Sequence, residues 1–227
     1  MHPWHGSRKV YAKMLNRSDA ALPFDMPIAE RLAGRLLSAP PALPAQSELV
    51  PDWAPLEPIS RPPVLAAVLI GLVRRPEGHT VLYTERSPDL RSHSGQVAFP
   101  GGKIDAGDVH AGAAALREAN EEVGLVAGEA EILGYMEPYF TGSNYLIVPV
   151  VAEVFPSGPF VPNPDEVHSV FEVPLQRILD AGSYGTFRIK RGGKEHSTWQ
   201  IDHDGHLIWG ITANLTRKFR DLVLGEA

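Results

Sequence analysis

The sequence predicts a mixed α/β domain, and three observations indicate this class. Two long apolar segments, Val64 to Val73 and Tyr145 to Val154, are typical of buried strands. A helix is predicted between them, from His110 to Val123, because apolar residues recur there at helical spacing and Gly124 follows as a C-cap. A last amphipathic helix is predicted over Thr212 to Leu224.

The composition limits what the protein can be. The chain has 227 residues, of which 44% are hydrophobic and 21% charged, as in ordinary globular proteins. Its 21 Lys and Arg against 27 Asp and Glu give a net charge of -6, which argues against nucleic acid as a partner. The absence of cysteine excludes disulfides, thiolate zinc sites and cysteine nucleophiles. The chemistry must therefore come from other side chains.

The hydropathy pattern indicates a cytoplasmic protein without a membrane partner. The longest apolar run, Val64 to Val73, has 10 residues, about half of the roughly 20 that a membrane-spanning helix needs. The N-terminal residues contain Pro, His and Gly where a signal peptide would have its apolar stretch. Export is therefore not indicated.

Residues 1–61 differ in composition from the rest of the chain. They are predicted to form a proline-rich extension to a domain over 62–227. A short helix is predicted around Ile28 to Leu37, and eight prolines follow between Pro40 and Pro63. Such a stretch suits an extended linker or an arm lying on the surface, and a disordered extension is the alternative. A chain that starts near Ser60 is accordingly expected to stay folded and active.

Within the predicted domain, short elements connect the longer ones. A strand is expected over Thr80 to Thr84 and a short apolar segment over Gln96 to Phe99, and Gly192-Gly193 is interpreted as a hairpin turn. The remaining expected elements are a strand at Ile132 to Tyr139, a helix within Asp165 to Asp180 interrupted before Pro174, and short strands at Phe187 to Lys190, Ser197 to Ile201 and His206 to Trp209.

The helix predicted from His110 to Val123 carries a carboxylate face. Glu118, Glu121 and Glu122 fall within roughly a 100° arc, opposite an apolar face of Leu116, Ala119 and Val123. Glu118 and Glu122 are one turn apart, about 6 Å of rise, so their carboxylates can converge on one cation. The alternative is a solvated helix face on which Arg117 and Glu121 form an i, i+4 ion pair.

A glycine loop returns the chain to this helix. Gly101 and Gly102 permit close backbone approach to a ligand, and Asp105 and Asp108 follow them. Clustered carboxylates without Cys or His nearby suit a hard cation such as Mg²⁺ or Mn²⁺. Such ions typically bridge protein carboxylates to phosphate oxygens.

The stretch from Gly102 to Leu125 resembles the Nudix box of the Nudix hydrolases. The half Arg-Glu-x-x-Glu-Glu-x-Gly that begins at Arg117 is intact. Two features depart from the family pattern: the upstream acid is Asp108 rather than Glu, and eight residues rather than seven separate it from Arg117. The resemblance implies an α/β/α sandwich with a mixed sheet, and metal-dependent cleavage of a nucleoside diphosphate linked to another group.

A second resemblance points to the coenzyme A pyrophosphatase branch of that family. It is carried by Leu82 to Ser87, Arg91, Gly95 and Phe99 to Gly102, and the branch shares the longer spacing from Asp108 to Arg117. Further matches are Pro138, Thr141, Ser143 and Ile208-Trp209-Gly210. Asn144 stands where the branch has a glycine or small apolar residue, and the segment Gly182 to Gly205 is less typical.

These resemblances imply roles for particular residues. Glu118 and Glu122 are predicted metal ligands. Glu121 either completes the metal shell or accepts the proton of the attacking water, and Arg117 orients Glu121 or holds the loop. Arg86 and Arg91 could offer forked donors to phosphate oxygens or form surface ion pairs. The substrate-binding set is completed by Gly101 and Gly102.

The predicted reaction is Mg²⁺- or Mn²⁺-dependent cleavage of coenzyme A or a derivative to 3',5'-ADP and 4'-phosphopantetheine or its acyl form. The rival substrates are ADP-ribose, NADH and dinucleoside polyphosphates. A different class, a module that senses a nucleotide without cleaving it, is also considered. The expected partner is a small nucleotide, and the sequence leaves open whether the chain forms a homodimer.

Overall fold

A mixed β-sheet is the central element of the computed structural model, which describes residues 26–52, 55, 59–90, 94–191 and 193–226. Within these residues eight strands join this sheet: β1 Val64–Arg75, β2 Gly78–Arg86, β3 Val97–Ala98, β4 Gly101–Lys103, β5 Ala130–Tyr135, β6 Tyr139–Phe140, β7 Tyr145–Val154 and β8 Val167–Pro174. The helices of the described part are α1 Ile28–Leu32, α2 Ala111–Val123, α3 Leu175–Leu179 and α4 Gly210–Leu224, with short 3-10 turns at Gln46–Glu48, Ala127–Glu129 and Ala181–Ser183.

Strand β1 organises the sheet because it pairs along both edges. One edge runs parallel to β7, from Val64 opposite Tyr145 to Val73 opposite Val154. The other edge has two antiparallel partners in succession, β4 near its start and β2 near its end. The glycines of β4 are thereby fixed beside the middle of the most buried strand.

The two longer helices cover opposite faces of the sheet. Alternation along β1 sends Ala67, Leu69 and Val73 to the face under α2, and Ile70 and Leu72 to the other face. Helix α2 contributes four fully buried side chains, which are Ala114, Ala115, Ala119 and Val123, and α4 contributes Ala213, Phe219 and Val223. This is the α/β/α sandwich with a mixed sheet that the sequence predicts.

A second, three-stranded antiparallel sheet precedes α4. Its strands are β9 Gly185–Arg191, β10 Lys194–His203 and β11 His206–Trp209. Arg191 lies opposite Lys194 in the register, as the predicted hairpin requires, and Gly193 adopts a left-handed φ of 75°, whereas Gly192 lies outside the described residues. Strand β10 packs along α4, so this sheet closes one side of the α4 face.

Described residues of the N-terminal extension pack on the domain. Ile28 and Leu32 of α1 are 4% and 2% exposed within the apolar cluster under α4. Arg35 donates from Nη1 to the carbonyls of Leu222 and Val223 at 2.8 and 3.0 Å, which caps the C-terminus of α4. Part of the N-terminal extension therefore packs into the core. That a chain starting near Ser60 stays folded and active remains a prediction from the sequence.

The extension also covers an edge of the sheet. The backbone of Leu37 both donates to and accepts from Tyr135 of β5 at 2.9 Å. This bridge explains why the helix predicted over Ile28 to Leu37 ends at Leu32: the residues beyond it leave the helix, through Gly34 at φ 76°, and pair with the strand. An edge strand presents unpaired backbone groups, and the bridge satisfies two of them.

The helix predicted within Asp165 to Asp180 was wrong over its first half. Residues Val167–Pro174 form β8, antiparallel to β2, and the short helix α3 follows. The β-branched and aromatic side chains of this segment fit a pleated, half-buried surface better than a helix. The strand expected over Ile132 to Tyr139 is divided between β5 and β6.

Helices of the described residues are all too short or too polar to cross a membrane.

Candidate active site

Helix α2 holds the glutamates in a fixed frame because both of its ends are capped. The ring nitrogen Nδ1 of His110 accepts a hydrogen bond from the backbone N–H of Ala113 at 3.0 Å. At the other end Gly124 adopts φ 70°, a left-handed conformation that glycine takes without steric cost, and its N–H bonds the carbonyl of Asn120 at 3.0 Å. The predicted C-cap is confirmed.

The glycine loop approaches α2 more closely than any other residue type would allow. A Cβ at Gly102 would lie 2.5 Å from the carboxylate carbon of Glu118. A Cβ at Gly101 would lie 2.4 Å from the carbonyl oxygen of Ala67 in β1. The two glycines therefore allow the loop to fit between the helix and the sheet.

Glu122 is buried against this loop. Its side chain is 4% exposed, and Oε2 accepts a hydrogen bond from the N–H of Gly101 at 3.2 Å. Burial raises the pKa of Glu122 to about 8, although the Gly101 N–H and the charge of Arg86 act in the opposite direction. The sequence expectation of a carboxylate face opposite the core is thus corrected for Glu122, which lies inside the protein.

Arg117 links the helix to the glycine loop. Its Nε and Nη2 donate to the two oxygens of Asp108 at 3.1 and 3.0 Å, and Nη2 also donates to the carbonyl of Lys103 at 3.0 Å. Its Nη1 donates to Glu118 at 3.0 Å and to Glu121 at 3.1 Å. The same guanidinium holds the pKa of Asp108 below its usual range. Arg117 therefore makes the contacts that each of its two predicted roles requires. It is bonded to Glu121, which it could orient, and to Asp108 and Lys103 of the loop, which it could hold.

The remaining two glutamates of the helix differ in environment. The Glu118 side chain is 15% exposed and its pKa is raised, mainly by burial, against the opposing effect of Arg117. The Glu121 side chain is 52% exposed and makes the i, i+4 ion pair with Arg117. The helix thus presents two desolvated carboxylates and one that faces solvent.

Glu166 is a further carboxylate at this site, and the sequence reasoning missed it. Its charge raises the pKa of both Glu118 and Glu122. The loop before β8 brings it there by capping α2: the N–H of Val161 bonds the carbonyl of Val123 at 3.0 Å, and the N–H of Asn163 bonds that of Glu122 at 2.9 Å. No local signal marks Glu166, since it lies 44 residues beyond Glu122 in a proline-containing loop.

Arg86 reaches the carboxylates from the sheet. It ends β2 with its Nη1 4.0 Å from Oε1 of Glu122, and its side chain is 27% exposed. Its Nε is buried and has no hydrogen-bond partner among the residues that the structure describes. Arg86 therefore retains donors for a further anionic group at the mouth of the site. Arg91, the other arginine predicted to bind phosphate, lies outside the described residues.

Asn144, which departs from the branch pattern, lies in a turn and has a left-handed backbone conformation. Its φ is 68°, a left-handed value that Gly and Asn adopt more readily than other residues. Its side-chain amide donates to the carbonyl of Pro62 at 3.1 Å. The neighbouring hydroxyls of Thr141 and Ser143 are 3.0 Å apart. The departure thus preserves the turn between β6 and β7.

The donor set fits a hard divalent cation. Within the described ranges no three His, Asp or Glu side chains already converge at metal-ligand spacing, and Arg117 engages one oxygen each of Glu118 and Glu121. Nevertheless both carboxylates are desolvated and lie near like charges: burial, then Glu118 and Glu166, raise the pKa of Glu122, and burial, then Glu121 and Glu166, raise that of Glu118. A cation that prefers carboxylate oxygens would relieve that repulsion.

Gly102→Ala is expected to lower kcat by about 10-fold or more, because the added methyl displaces the Glu118 carboxylate from its position beside the loop. Gly107→Ala in the same loop is the matched control, since a Cβ there meets nothing within 4 Å. Steady-state kinetics at saturating metal, together with thermal melts of both variants, measure the effect. Equal turnover in the two variants would show that Glu118 needs no close approach of the loop.

Fold and site together define the class: a hydrolase that cleaves pyrophosphate bonds, with carboxylates of a capped helix held under a glycine loop. The chain belongs to the Nudix family, since the NUDIX domain pattern matches residues 63–190. It is 44% identical over 153 residues to an uncharacterized Nudix hydrolase, NudL, of Escherichia coli (strain K12), a match that covers 67% of this chain and 79% of that protein. The corresponding NudL of Escherichia fergusonii is 43% identical over the same length.

Solved structures of the family are also similar to this chain. A Nudix hydrolase from M. smegmatis, RenU, matches with a TM-score of 0.43 and 24% identity, covering 52% of this chain and 74% of that one. The NUDIX domain of Shewanella oneidensis NrtR, solved with ADP ribose, matches with a TM-score of 0.41 and 21% identity, covering 52% of this chain and 77% of that domain.

Proposed function

We propose that this chain hydrolyses the pyrophosphate bond of coenzyme A or a derivative, giving 3',5'-ADP and 4'-phosphopantetheine or its acyl form. The observation that carries the proposal is the position of Arg86: the arginine of the upstream signature lies beside the buried carboxylate of Glu122, 4.0 Å from Oε1. In that position its free donors suit a phosphate oxygen next to a metal ion. Arg86, which belongs to the signature that resembles the coenzyme A branch, thus lies next to a proposed metal ligand, and this supports the proposal.

In this proposal Mg²⁺ or Mn²⁺, when bound, neutralises the pyrophosphate and lowers the pKa of water. Glu118 and Glu122 hold the cation, Arg86 contacts a phosphate oxygen, and Arg117 positions the glutamates and the loop. Gly101 and Gly102 serve by their lack of side chains, since the Gly101 N–H is already bonded to Glu122. The sequence alone suggested a different role, in which the two glycines contact the substrate directly.

Two carboxylates are candidates to accept the proton of the attacking water. Glu121 is exposed, and one of its carboxylate oxygens is already engaged by the guanidinium of Arg117. Glu166 reaches the site from a different loop and is not bonded to that guanidinium. We favour Glu166 for this role, with Glu121 supporting Arg117 at the edge of the site.

A cytoplasmic location remains a prediction from the sequence.

A substrate panel tests the proposed function. Coenzyme A, acetyl-coenzyme A, dephospho-coenzyme A, ADP-ribose, NADH and diadenosine polyphosphates are incubated with Mg²⁺ or Mn²⁺, and the products are separated by chromatography. Coenzyme A is expected to give the highest kcat/KM. Dephospho-coenzyme A is expected to be about 10-fold slower or more, since it lacks one charge-assisted phosphate contact.

The panel also separates the alternatives. A preference of tenfold or more for ADP-ribose or NADH would overturn the coenzyme A assignment within the same family. If a folded, metal-loaded protein cleaves none of the compounds but binds one of them, the nucleotide-sensing alternative is correct. Chelation of the metal with EDTA is the control, and it should abolish any cleavage observed.

A further inference from the structure

The edge of the main sheet that carries Arg86 is irregular. Strand β3 has two residues and pairs with β2 only at Thr84 and Glu85. On the other side of β2, the register with β8 shifts between Glu85 and Arg86, which indicates a bulge. The backbone of Arg86 bonds to Gln96 and Gly95, in the loop before β3. Because a bulge disrupts the ladder and re-aims the side chains beside it, the direction of Arg86 depends on further contacts.

Glu85 anchors this edge on the opposite face of the sheet. Its neighbour Arg86 reaches the carboxylates of α2, whereas Glu85 follows Tyr83 in the alternation of β2 and lies on the α4 face. Oε2 of Glu85 accepts a hydrogen bond from the hydroxyl of Ser169 in β8 at 3.1 Å. The same oxygen lies 3.3 Å from Nδ1 of His206 in β11. One carboxylate oxygen thus links β2 to β8 and to the second sheet.

The ring of His206 is held in place by an aromatic stack. It lies on Phe171 with the two centroids 4.0 Å apart and an interplanar angle of 7°. Phe171 in turn stacks on Tyr83, and Tyr83 on Phe99, with centroids 5.6 and 4.8 Å apart. Because Tyr83 is fully buried, the stack is anchored in the core. The ring nitrogen of His206 therefore has a fixed position beside Glu85.

The junction of β11 and α4 holds the neighbouring strand as well. The hydroxyl of Thr212 donates to the carbonyl of Val97 in β3 at 2.9 Å. Val97 lies opposite Glu85 in the ladder between β2 and β3. One short segment, from His206 to Thr212, therefore contacts both strands of the edge from which Arg86 and the glycine loop extend.

Glu85 does not neutralise Arg86, although the two residues are adjacent in the sequence. Among the described residues no ion pair joins them: the carboxylate of Glu85 lies against His206, and the guanidinium of Arg86 lies 4.0 Å from Glu122. Holding Glu85 on the α4 face therefore fixes the strand without occupying the donors of Arg86. Those donors remain directed toward the carboxylates of α2.

We infer that His206 is a positioning residue for Arg86. Through Glu85 it fixes the end of β2 at the bulge, so that the guanidinium of Arg86 lies beside Glu122 and its donors face a phosphate oxygen of the substrate. His206 acts through Arg86 and is not itself a catalytic residue. This inference rests on the proposed function for the role of Arg86, but not on which pyrophosphate compound is the substrate.

His206→Leu tests the inference, because it removes the nitrogen beside Glu85 and leaves an apolar side chain against Phe171. With the compound of the panel that is cleaved best, it is expected to lower kcat/KM by about 5-fold, mainly through KM. In an Arg86→Met background the same substitution should lower kcat/KM by less than about 2-fold, since the group through which it acts is gone. His206→Gln keeps a donor near Glu85 and should retain most of the wild-type kcat/KM.

His79→Leu is the matched control, because His79 forms a similar pair at the other end of β2. Its Nε2 lies 2.8 Å from Oε1 of Glu153, and the two side chains are 22% and 15% exposed, against 28% and 29% for His206 and Glu85. His79 is seven residues from Arg86, about 23 Å along an extended strand. Its loss should leave kcat/KM within about 2-fold of the wild type. Thermal melts should show small losses of similar size in the two variants.

A second readout needs no substrate. The Nε of Arg86 is buried and has no hydrogen-bond partner among the described residues, so its ¹⁵N–¹H resonance reports on the position of this side chain. The resonance is identified by its absence in Arg86→Met. It should shift in His206→Leu and stay in place in His79→Leu. If His206→Leu does not fold, Glu85→Gln replaces it in both measurements, since it removes the charge beside His206 and keeps the size of the side chain.

The outcomes separate this inference from the proposed function. An unmoved Arg86 resonance in His206→Leu overturns the inference. So does an effect of His206→Leu that persists in the Arg86→Met background, or the absence of any effect when Arg86→Met itself lowers kcat/KM. A shifted resonance together with wild-type kcat/KM in Arg86→Met supports the positioning by His206, and overturns only the phosphate contact that the proposed function gives to Arg86.

Discussion

Glu122→Gln is expected to lower turnover by about two orders of magnitude or more, because it removes one charged ligand from the predicted metal site without creating a cavity. The same substitution is expected to stabilise the metal-free protein. Glu122 is almost fully buried, and burial penalises its charged form, as the rise of its pKa to about 8 shows. Removing that penalty should increase the free energy of unfolding at pH 7 by on the order of 2 kcal/mol.

Glu122→Gln is thus expected to lower turnover and to raise the stability of the metal-free protein, a combination that general damage to the fold would not produce. Turnover is measured at saturating Mg²⁺ or Mn²⁺, and stability by urea unfolding after metal removal. Added Mg²⁺ should raise the Tm of the wild type and have little effect on that of the variant. Glu166→Gln is the companion variant: Glu166 is exposed, so its loss should slow turnover while raising stability much less than Glu122→Gln does. A folded Glu122→Gln enzyme with wild-type turnover would remove Glu122 from the site.

Loss of the N-terminal packing is the second large effect expected. Leu32 is 2% exposed in the cluster under α4, and Leu32→Ala should lower the free energy of unfolding by about 2 to 4 kcal/mol. A chain that starts at Ser60 should lose more, because Ile28, the Arg35 cap and the bridge at Leu37 go with it. Urea unfolding of both proteins measures the loss.

Leu43→Ala serves as the control for this prediction, since Leu43 belongs to the same extension but is 48% exposed. Its unfolding midpoint should stay close to that of the wild type. If the chain starting at Ser60 unfolds at the same urea concentration as the full chain, the packing of the extension adds nothing to stability.

Helix α2 and strands β1 and β7 could be predicted from the sequence because their signals are local. The periodicity from His110 to Val123 and the C-cap at Gly124 are properties of neighbouring residues, and the structure places the helix at Ala111–Val123. The apolar segment Tyr145–Val154 is a strand with those bounds. Local patterns succeed where the element is long and one face is strongly apolar.

The features that were missed depend on distant partners. Strand β8 was mistaken for a helix because its register is set by pairing with β2, more than 80 residues away in the sequence. Glu166 reaches the carboxylates only because its loop caps α2. The burial of Glu122 follows from the approach of the Gly101 loop and the contact with Arg86, which no periodicity describes. The chemistry of the site could be inferred from residue types, whereas its electrostatics required the fold.

The cap that Arg35 places on α4 has a consequence for how the protein forms in the cell. Arg35 and Leu222 are separated by 187 residues, so the partner that is synthesised first must wait until helix α4 has been translated. During that interval Ile28 and Leu32 have no helix to pack against, and loop closure over such a length is slow. The nascent chain therefore exposes this apolar segment for an extended interval, and closure of the α4 face is expected to be a late step of folding.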